Sequence, residues 1–262
     1  MPNLSPTFIT INAEHFQIMS LWKIAMQSIS SASHEKPGYY LTGLTSCALA
    51  IERACKIILI LDDLALKAET GQGSGIDRNT FQNNIRHDLR KALESVSKVA
   101  IRRGITVSLP QQATTWKSDL LDLLNNISTG KCRYYAIDTL VGAVADDPLL
   151  KLQAIREKLI HESGLVQGGN SQFAAFLAHR ITTLFQDLDG TFLTTQRALL
   201  LCSITPRINK LMRESLIETM KTLAELIMKF DGKCTDFPAS EDHYFWFLNK
   251  TNYLSKLKTW KG

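Results

Sequence analysis

Long apolar runs are missing from this 262-residue sequence. No uncharged apolar stretch reaches the roughly 18 residues that a membrane span needs. The first thirteen residues carry no lysine or arginine and no apolar run, so they do not resemble a secretory signal peptide. We therefore expect a cytoplasmic chain that has no membrane partner.

Cysteines are few and scattered. The five occur at Cys47, Cys55, Cys132, Cys202 and Cys234, with no C-x-x-C pair and no histidine cluster nearby. An odd number with this spacing argues against a disulfide framework and against a zinc ribbon. The sequence predicts no metal site and no cofactor.

Glycine and proline are also scarce, at 14 and 7 residues, which excludes collagen-like and wholly disordered chains. Hydrophobic residues make up 45% and charged residues 21%, as in an ordinary globular protein. The formal net charge of +5 would assist contact with a polyanion without establishing one.

Helical periodicity is present along most of the chain, whereas strand-like alternation and internal repeats are absent. We predict a long helix from Leu44 to about Lys67, because apolar residues recur there at steps of three and four. Those residues are Cys47, Ala48, Ile51, Cys55 and Ile58. The fold class predicted is all-α.

Local signals delimit the other helices. After a polar, glycine-rich loop over residues 69–79, a helix should begin near Thr80 and end at Gly104. Pro148 should open a helix that ends at Gly164. Further helices are predicted over 118–127, from about Tyr135, over 173–185 and over 208–230. Between residues 86 and 103 lies the densest basic face, with Arg86, Arg90, Lys91, Lys98, Arg102 and Arg103.

Two short motifs suggest phosphate chemistry. Gly71, Gly73 and Gly75 follow a predicted helix rather than a strand, so we interpret them as a connector. Residues 187–191 read Asp-Leu-Asp-Gly-Thr, which resembles the nucleophile motif of haloacid-dehalogenase-type phosphatases. That motif ends a β-strand, whereas the preceding residues here are amphipathic-helical. A turn between helices, with Asp189 and Gly190 as its tightest part, is the better interpretation.

Four segments occur in the order found in HEPN-domain proteins. Residues 39–56 resemble their first long helix, with a tyrosine, small residues and then A-x-E-x-x-x-K. His87-Asp88-Leu89 is similar to their H-D-L step, and Arg133-Tyr134 to an R-Y step. Arg156 and His161 fit their R-x(4-6)-H signature, which by itself arises by chance about once in such a chain.

This resemblance implies an antiparallel helical bundle of HEPN type over residues 1–165, with a C-terminal helical extension over 166–262 that could pack with it as one domain. It also implies a homodimer and, in active members, a metal-independent ribonuclease, here of a toxin–antitoxin or phage-defence system. Other members are non-catalytic modules that bind a partner protein or nucleotide, and some pair with a nucleotidyltransferase-type antitoxin. Glu157 departs from the Asn, Asp or His that usually follows the arginine in nuclease branches.

In the ribonuclease interpretation, His161 transfers a proton and Arg156 binds the phosphate. The predicted RNA contacts are Glu157, Lys158, Arg133 and Tyr134. For Arg133 and Tyr134 the alternative is to close a helix junction, and the sequence does not decide between the two.

On a straight helix Arg156 and His161 point about 140° apart, so either the helix distorts before Gly164 or its far side is itself a dimer cleft. Leu152, Ile155 and Leu159 define the buried stripe of this helix, with Arg156 at its flank and His161 on the far side.

The alternative is structural: an exposed His161 paired with Glu157, and Arg156 lying along the core edge. His87 and Asp88 are equally open, since they could line a cleft or form the N-terminal turn of a helix.

Overall fold

The chain is helical throughout its described regular structure. A computed structural model describes residues 6–71, 85–105, 115–132, 138, 140–142, 146–165, 186–188 and 190–230. Within these residues there is no strand, only the isolated bridges Ser33–Lys36 and Gln186–Phe192. The helices are α1 (Pro6–Ser31), α2 (Gly38–Thr70), α3 (Leu89–Arg102), α4 (Trp116–Ser128), α5 (Pro148–Glu162) and α6 (Thr195–Phe230). The all-α prediction is confirmed.

Two compact units make up the chain, and neither is a continuous stretch of sequence. Unit one contains Met1–Lys23, Ser46–Leu109 and Leu216–Gly262; unit two contains Ile24–Thr45 and Pro110–Ser215. Helices α1, α2 and α6 each contribute residues to both units. The predicted boundary at residue 165 adjoins residues 166–185, which lie outside the described residues, as do the helices predicted from Tyr135 and over 173–185.

Burial follows the predicted apolar stripes. In α2, Ile51 and Ile58 of the predicted apolar stripe are fully buried, and so is Leu61. In unit two, α4 packs against α5. No helix in the described part of the chain is long and apolar enough to cross a membrane.

Capping side chains explain where α3 and α5 begin. Asp88 Oδ1 accepts a hydrogen bond from the Lys91 backbone N–H at 3.0 Å, and Asp147 does the same for the first turn of α5, where Pro148 is the first helical residue. The prediction that the second helix begins near Thr80 is wrong for α3, which begins at Leu89. Arg86 has φ +41°, a conformation that an α-helix does not contain.

The ends of α2, α3 and α5 also have local causes. Gly104 and Gly164 adopt φ +65° and +63° just after α3 and α5, as predicted. Helix α2 runs past the predicted end at Lys67 to Thr70, so the first two residues of the predicted loop are helical. The ion pair of Glu69 with Arg103 holds this last turn.

Helix α6 is longer than predicted from its periodicity. It begins at Thr195 rather than near Ile208, and it contains Pro206. Proline lacks the N–H that would bond to the residue 202 carbonyl. The helix nevertheless continues through Pro206, two residues before the predicted start.

A close approach of α1 and α2 in unit two depends on Gly43. A Cβ atom at this position would lie 2.7 Å from Ile29 Cγ1 and 3.1 Å from the Ala25 carbonyl oxygen. Real Cβ atoms do not come this close to another carbon. The small residue in the tyrosine-containing segment 39–44 is therefore required by packing.

We expect Gly43→Ala to destabilise the protein by about 1 to 3 kcal/mol, because the added methyl group overpacks the contact with Ile29. Gly38→Ala is the matched control, since a Cβ at Gly38 meets nothing within 4 Å. Urea unfolding of both variants measures the difference. Equal free energies of unfolding for the two variants would contradict the packing role of Gly43.

Candidate functional site

Helix α5 separates the two residues of the predicted catalytic pair. Leu152, Ile155 and Leu159 are buried, as predicted. Arg156 is only 4% exposed, so it lies within the core rather than along its edge. His161 is exposed on the helix surface, five residues further on. No hydrogen bond joins His161 to Arg156 among the described residues.

The guanidinium of Arg156 is bound by a carboxylate from a distant part of the chain. Nη1 donates to Asp187 Oδ1 at 2.8 Å and Nη2 to Asp187 Oδ2 at 2.7 Å. Both side chains are only 5% exposed. Burial alone would lower the pKa of Arg156, but the hydrogen bonds and charges of Asp187 and Glu157 outweigh this and raise it. The pair is a two-pronged ion pair shielded from water.

A tight turn places Asp187 against Arg156. The Gly190 N–H donates to the Asp187 carbonyl at 2.9 Å, and the Asp187 N–H donates to the Thr191 carbonyl at 2.8 Å. Gly190 has φ +80°. The predicted turn is therefore present, although Asp189 itself lies outside the described residues. The first aspartate of the phosphatase-like motif is a structural partner of Arg156.

Glu157 and Lys158 are also engaged in ion pairs within the protein. Glu157 Oε1 accepts from Arg156 Nη2 at 3.1 Å and from Arg197 Nη2 at 2.5 Å. Glu157 therefore pairs with two arginines rather than with His161. Lys158 Nζ lies 2.7 Å from Asp119 Oδ2 and links α5 to α4. The two other predicted RNA contacts, Arg133 and Tyr134, lie outside the described residues.

A second polar contact in unit two starts from the tyrosine-containing segment. Tyr40 Oη donates to Asn209 Oδ1 at 2.7 Å, and Asn209 Nδ2 donates to the Ala32 carbonyl at 2.9 Å. Burial raises the pKa of Tyr40 to about 12, although the nearby charge of Arg156 and the bond to Asn209 oppose the shift. Tyr40 thus ties α2 to α6 as a neutral hydrogen-bond donor.

In unit one, two segments of the HEPN resemblance meet. Glu52 of the A-x-E-x-x-x-K segment is buried, and its Oε1 accepts from Lys56 Nζ at 2.6 Å. The same oxygen lies 3.0 Å from Nδ1 of His87, whose side chain is 61% exposed. Asp88 caps α3, so it forms the helix N-terminal turn that was one of the two predicted alternatives.

Neither Asp187 nor Arg197 was predicted from the sequence as a partner of the candidate site. Asp187 lies 31 residues from Arg156, and Arg197 lies 40 residues from Glu157. The only available signal was general: an arginine next to an apolar stripe needs a carboxylate if it becomes buried.

Comparison of the chain with protein-family models, with curated proteins and with solved structures finds no match. The described residues contain no group of three or more His, Cys, Asp or Glu side chains that could hold a metal ion. The HEPN resemblance thus rests on the segments described above and stays a prediction.

We expect Asp187→Asn to destabilise the protein by about 3 to 5 kcal/mol, because the buried Arg156 charge then keeps only its single, longer contact with the partly exposed Glu157. Arg197→Ala is the control: its side chain is 32% exposed, and losing such a pair costs about 1 kcal/mol or less. Chemical denaturation of both variants measures the two costs. Similar losses would show that the Arg156–Asp187 pair contributes no more than a surface pair.

Tyr40 makes the free energy of unfolding fall as the pH becomes alkaline. Its folded pKa of about 12 exceeds the ordinary value of 10.0, so its contribution is complete below pH 10 and is lost as the pH rises toward 12. We expect Tyr40→Phe to remove this part of the decline in unfolding free energy. Tyr39→Phe, at a half-exposed neighbouring tyrosine, should leave the decline unchanged. Identical pH profiles for the two variants would contradict the assignment.

Proposed function

We propose that this chain is a non-catalytic helical module of HEPN type, which acts by binding rather than by cleaving RNA. One observation carries the proposal: both Nη groups of Arg156 donate hydrogen bonds to the carboxylate of Asp187, and both side chains are buried. The arginine of the R-x4-H signature is then part of the protein's own framework.

Phosphate binding by Arg156 would require the ion pair to open. Separating a buried pair costs about 3 to 5 kcal/mol, because the partner left behind is a buried and uncompensated charge. His161 would still project about 140° away around α5. A single protomer therefore offers no common site for an arginine and an imidazole.

The HEPN type of the module is supported by the contact of Glu52 with Lys56 and His87. These residues come from two of the four segments on which the resemblance rests. They are 35 residues apart at the Glu52–His87 contact, so their meeting is not a consequence of local sequence.

A metal-independent ribonuclease is the second candidate, and the exposure of His161 favours it. This imidazole has no hydrogen bond or ion pair among the described residues, so a substrate could reach it. The candidate requires Arg156 to be released and a homodimer to complete the site. The homodimer, the nucleotidyltransferase-type partner and the role in defence stay predictions.

Incubation of the full chain with end-labelled single-stranded RNA in EDTA separates the two candidates. We expect the wild-type protein and His161→Ala to leave the RNA intact to the same extent, because the imidazole has no catalytic partner. The matched control is Glu162→Ala, which changes an exposed neighbouring residue of α5. EDTA-resistant cleavage that persists in Glu162→Ala and is lost in His161→Ala would overturn the proposal in favour of the ribonuclease.

A further inference from the structure

Helix α3 has a buried apolar face and an outward face rich in cations. Leu89, Leu93, Val96 and Ala100 are buried. The exposed side chains on the other face include Lys91, Lys98 and Arg102, which we call the α3 basic row. They recur at steps of seven and four residues and so lie on one side of the helix. Residues 86–103 carry six lysines and arginines against Asp88 and Glu94.

The neighbouring carboxylates neutralise only part of the positive charge of the α3 basic row. Lys91 Nζ lies 3.5 Å from Asp88, a long contact at the surface. Lys98 has no ion pair among the described residues. Arg102 contacts the fully buried Asp62, but it shares that single carboxylate with Arg103, and its own side chain remains 47% exposed.

We propose that the α3 basic row binds the phosphate backbone of a nucleic acid. Lys91 and Arg102 are separated by about 16 Å along a straight helix axis. Each strand of a duplex presents one charge per about 3.4 Å of axis, so a row of this length faces several phosphates. The exposed Glu94 lies on the same side between Lys91 and Lys98, but the three cations outnumber it. An extended row with excess positive charge matches a linear polyanion better than it matches a compact anion.

A membrane surface fits this face less well. An interfacial helix inserts an apolar face into the lipid, with its cations above. In α3 the apolar face is already buried within unit one, and Ile101 is its one exposed large hydrophobic residue. Binding by α3 therefore has to come from its charges.

A nucleic acid would be the ligand of the binding module proposed above, and its assignment rests on the proposed function in one respect, that bound RNA is not cleaved. The binding of nucleic acid does not depend on whether RNA is cleaved, because the affinity for a DNA probe can be measured even if the RNA probe is degraded.

Fluorescence anisotropy of the full chain with three probes tests the proposal. The probes are a single-stranded RNA and a DNA duplex of about 20 nucleotides per strand, and vesicles with anionic lipid headgroups, at about 50 and about 200 mM salt. We expect both nucleic acids to bind, with affinity falling as salt rises. Three phosphate contacts on the single strand correspond to a log–log slope of about −2. A gel of the same RNA samples reports cleavage separately.

The decisive variant is Lys91→Glu with Lys98→Glu. Glutamate at residue 91 stands three positions after the Asp88 cap, where it favours the helix N-terminus, so the variant should fold. The control is Lys210→Glu with Lys229→Glu, at two exposed lysines of α6. Each substitution removes two charges, so both variants have a formal net charge of +1 against +5 in the wild type.

We expect the α3 variant to lose at least about tenfold in affinity at the lower salt concentration, and the magnitude of its salt slope to fall by about 0.7 for each lysine on the single strand and about 0.9 on the duplex. The control should change affinity less than about twofold. Equal losses in both variants would overturn the proposal, since net charge alone would then explain binding. It would also fail if no nucleic acid bound, or if vesicles bound and nucleic acids did not. RNA cleavage with intact DNA binding would overturn the proposed function alone.

Discussion

The carboxylate of Asp187 and the guanidinium of Arg156 neutralise each other where water scarcely reaches. Neither charge could stay buried without the other, so the burial of α5 in unit two depends on this pair. The pair holds Asp187, and with it the turn that begins there, against α5. It also leaves Glu157 to bridge Arg156 and Arg197 at the surface. This buried pair is the observation on which the proposal of a binding module, rather than a ribonuclease, rests.

Unit one uses its charges in a different way. Asp62 is fully buried and forms ion pairs with Arg102 of α3 and with Arg103, which caps the end of α3. The Arg103 guanidinium also lies 5.5 Å from the centre of the Phe230 ring of α6. Arg103 thus anchors α3 to two other helices. The lysines of the same helix point away from these anchors. Arg103 therefore holds the fold, Lys91 and Lys98 are exposed, and Arg102 does both, since it contacts Asp62 while about half of its side chain is exposed.

Local signals were sufficient for much of the fold. Pro148 with the Asp147 cap and the positive-φ Gly164 delimited α5, and the apolar stripe of α2 gave its buried face. The start of α3 was misplaced because Thr80 and Asp88 are both residue types that cap helices, and the positive φ of Arg86, which an α-helix does not contain, cannot be read from its residue type. At the candidate site, the sequence placed His161 on the surface, but it missed Asp187. A contact between residues 31 apart depends on the tertiary fold and has no periodic pattern.

The position of Asp187 has a consequence for how the chain could be divided. A fragment ending at residue 165 would retain Arg156 on α5 but lose the turn that supplies its carboxylate. It would also lose Asn209, the acceptor of the Tyr40 hydroxyl. Such a fragment would have a cation and a phenol facing an open gap where water would enter. Two buried side chains that precede residue 165 thus depend on partners that follow it, so a division of unit two at this residue would separate both pairs.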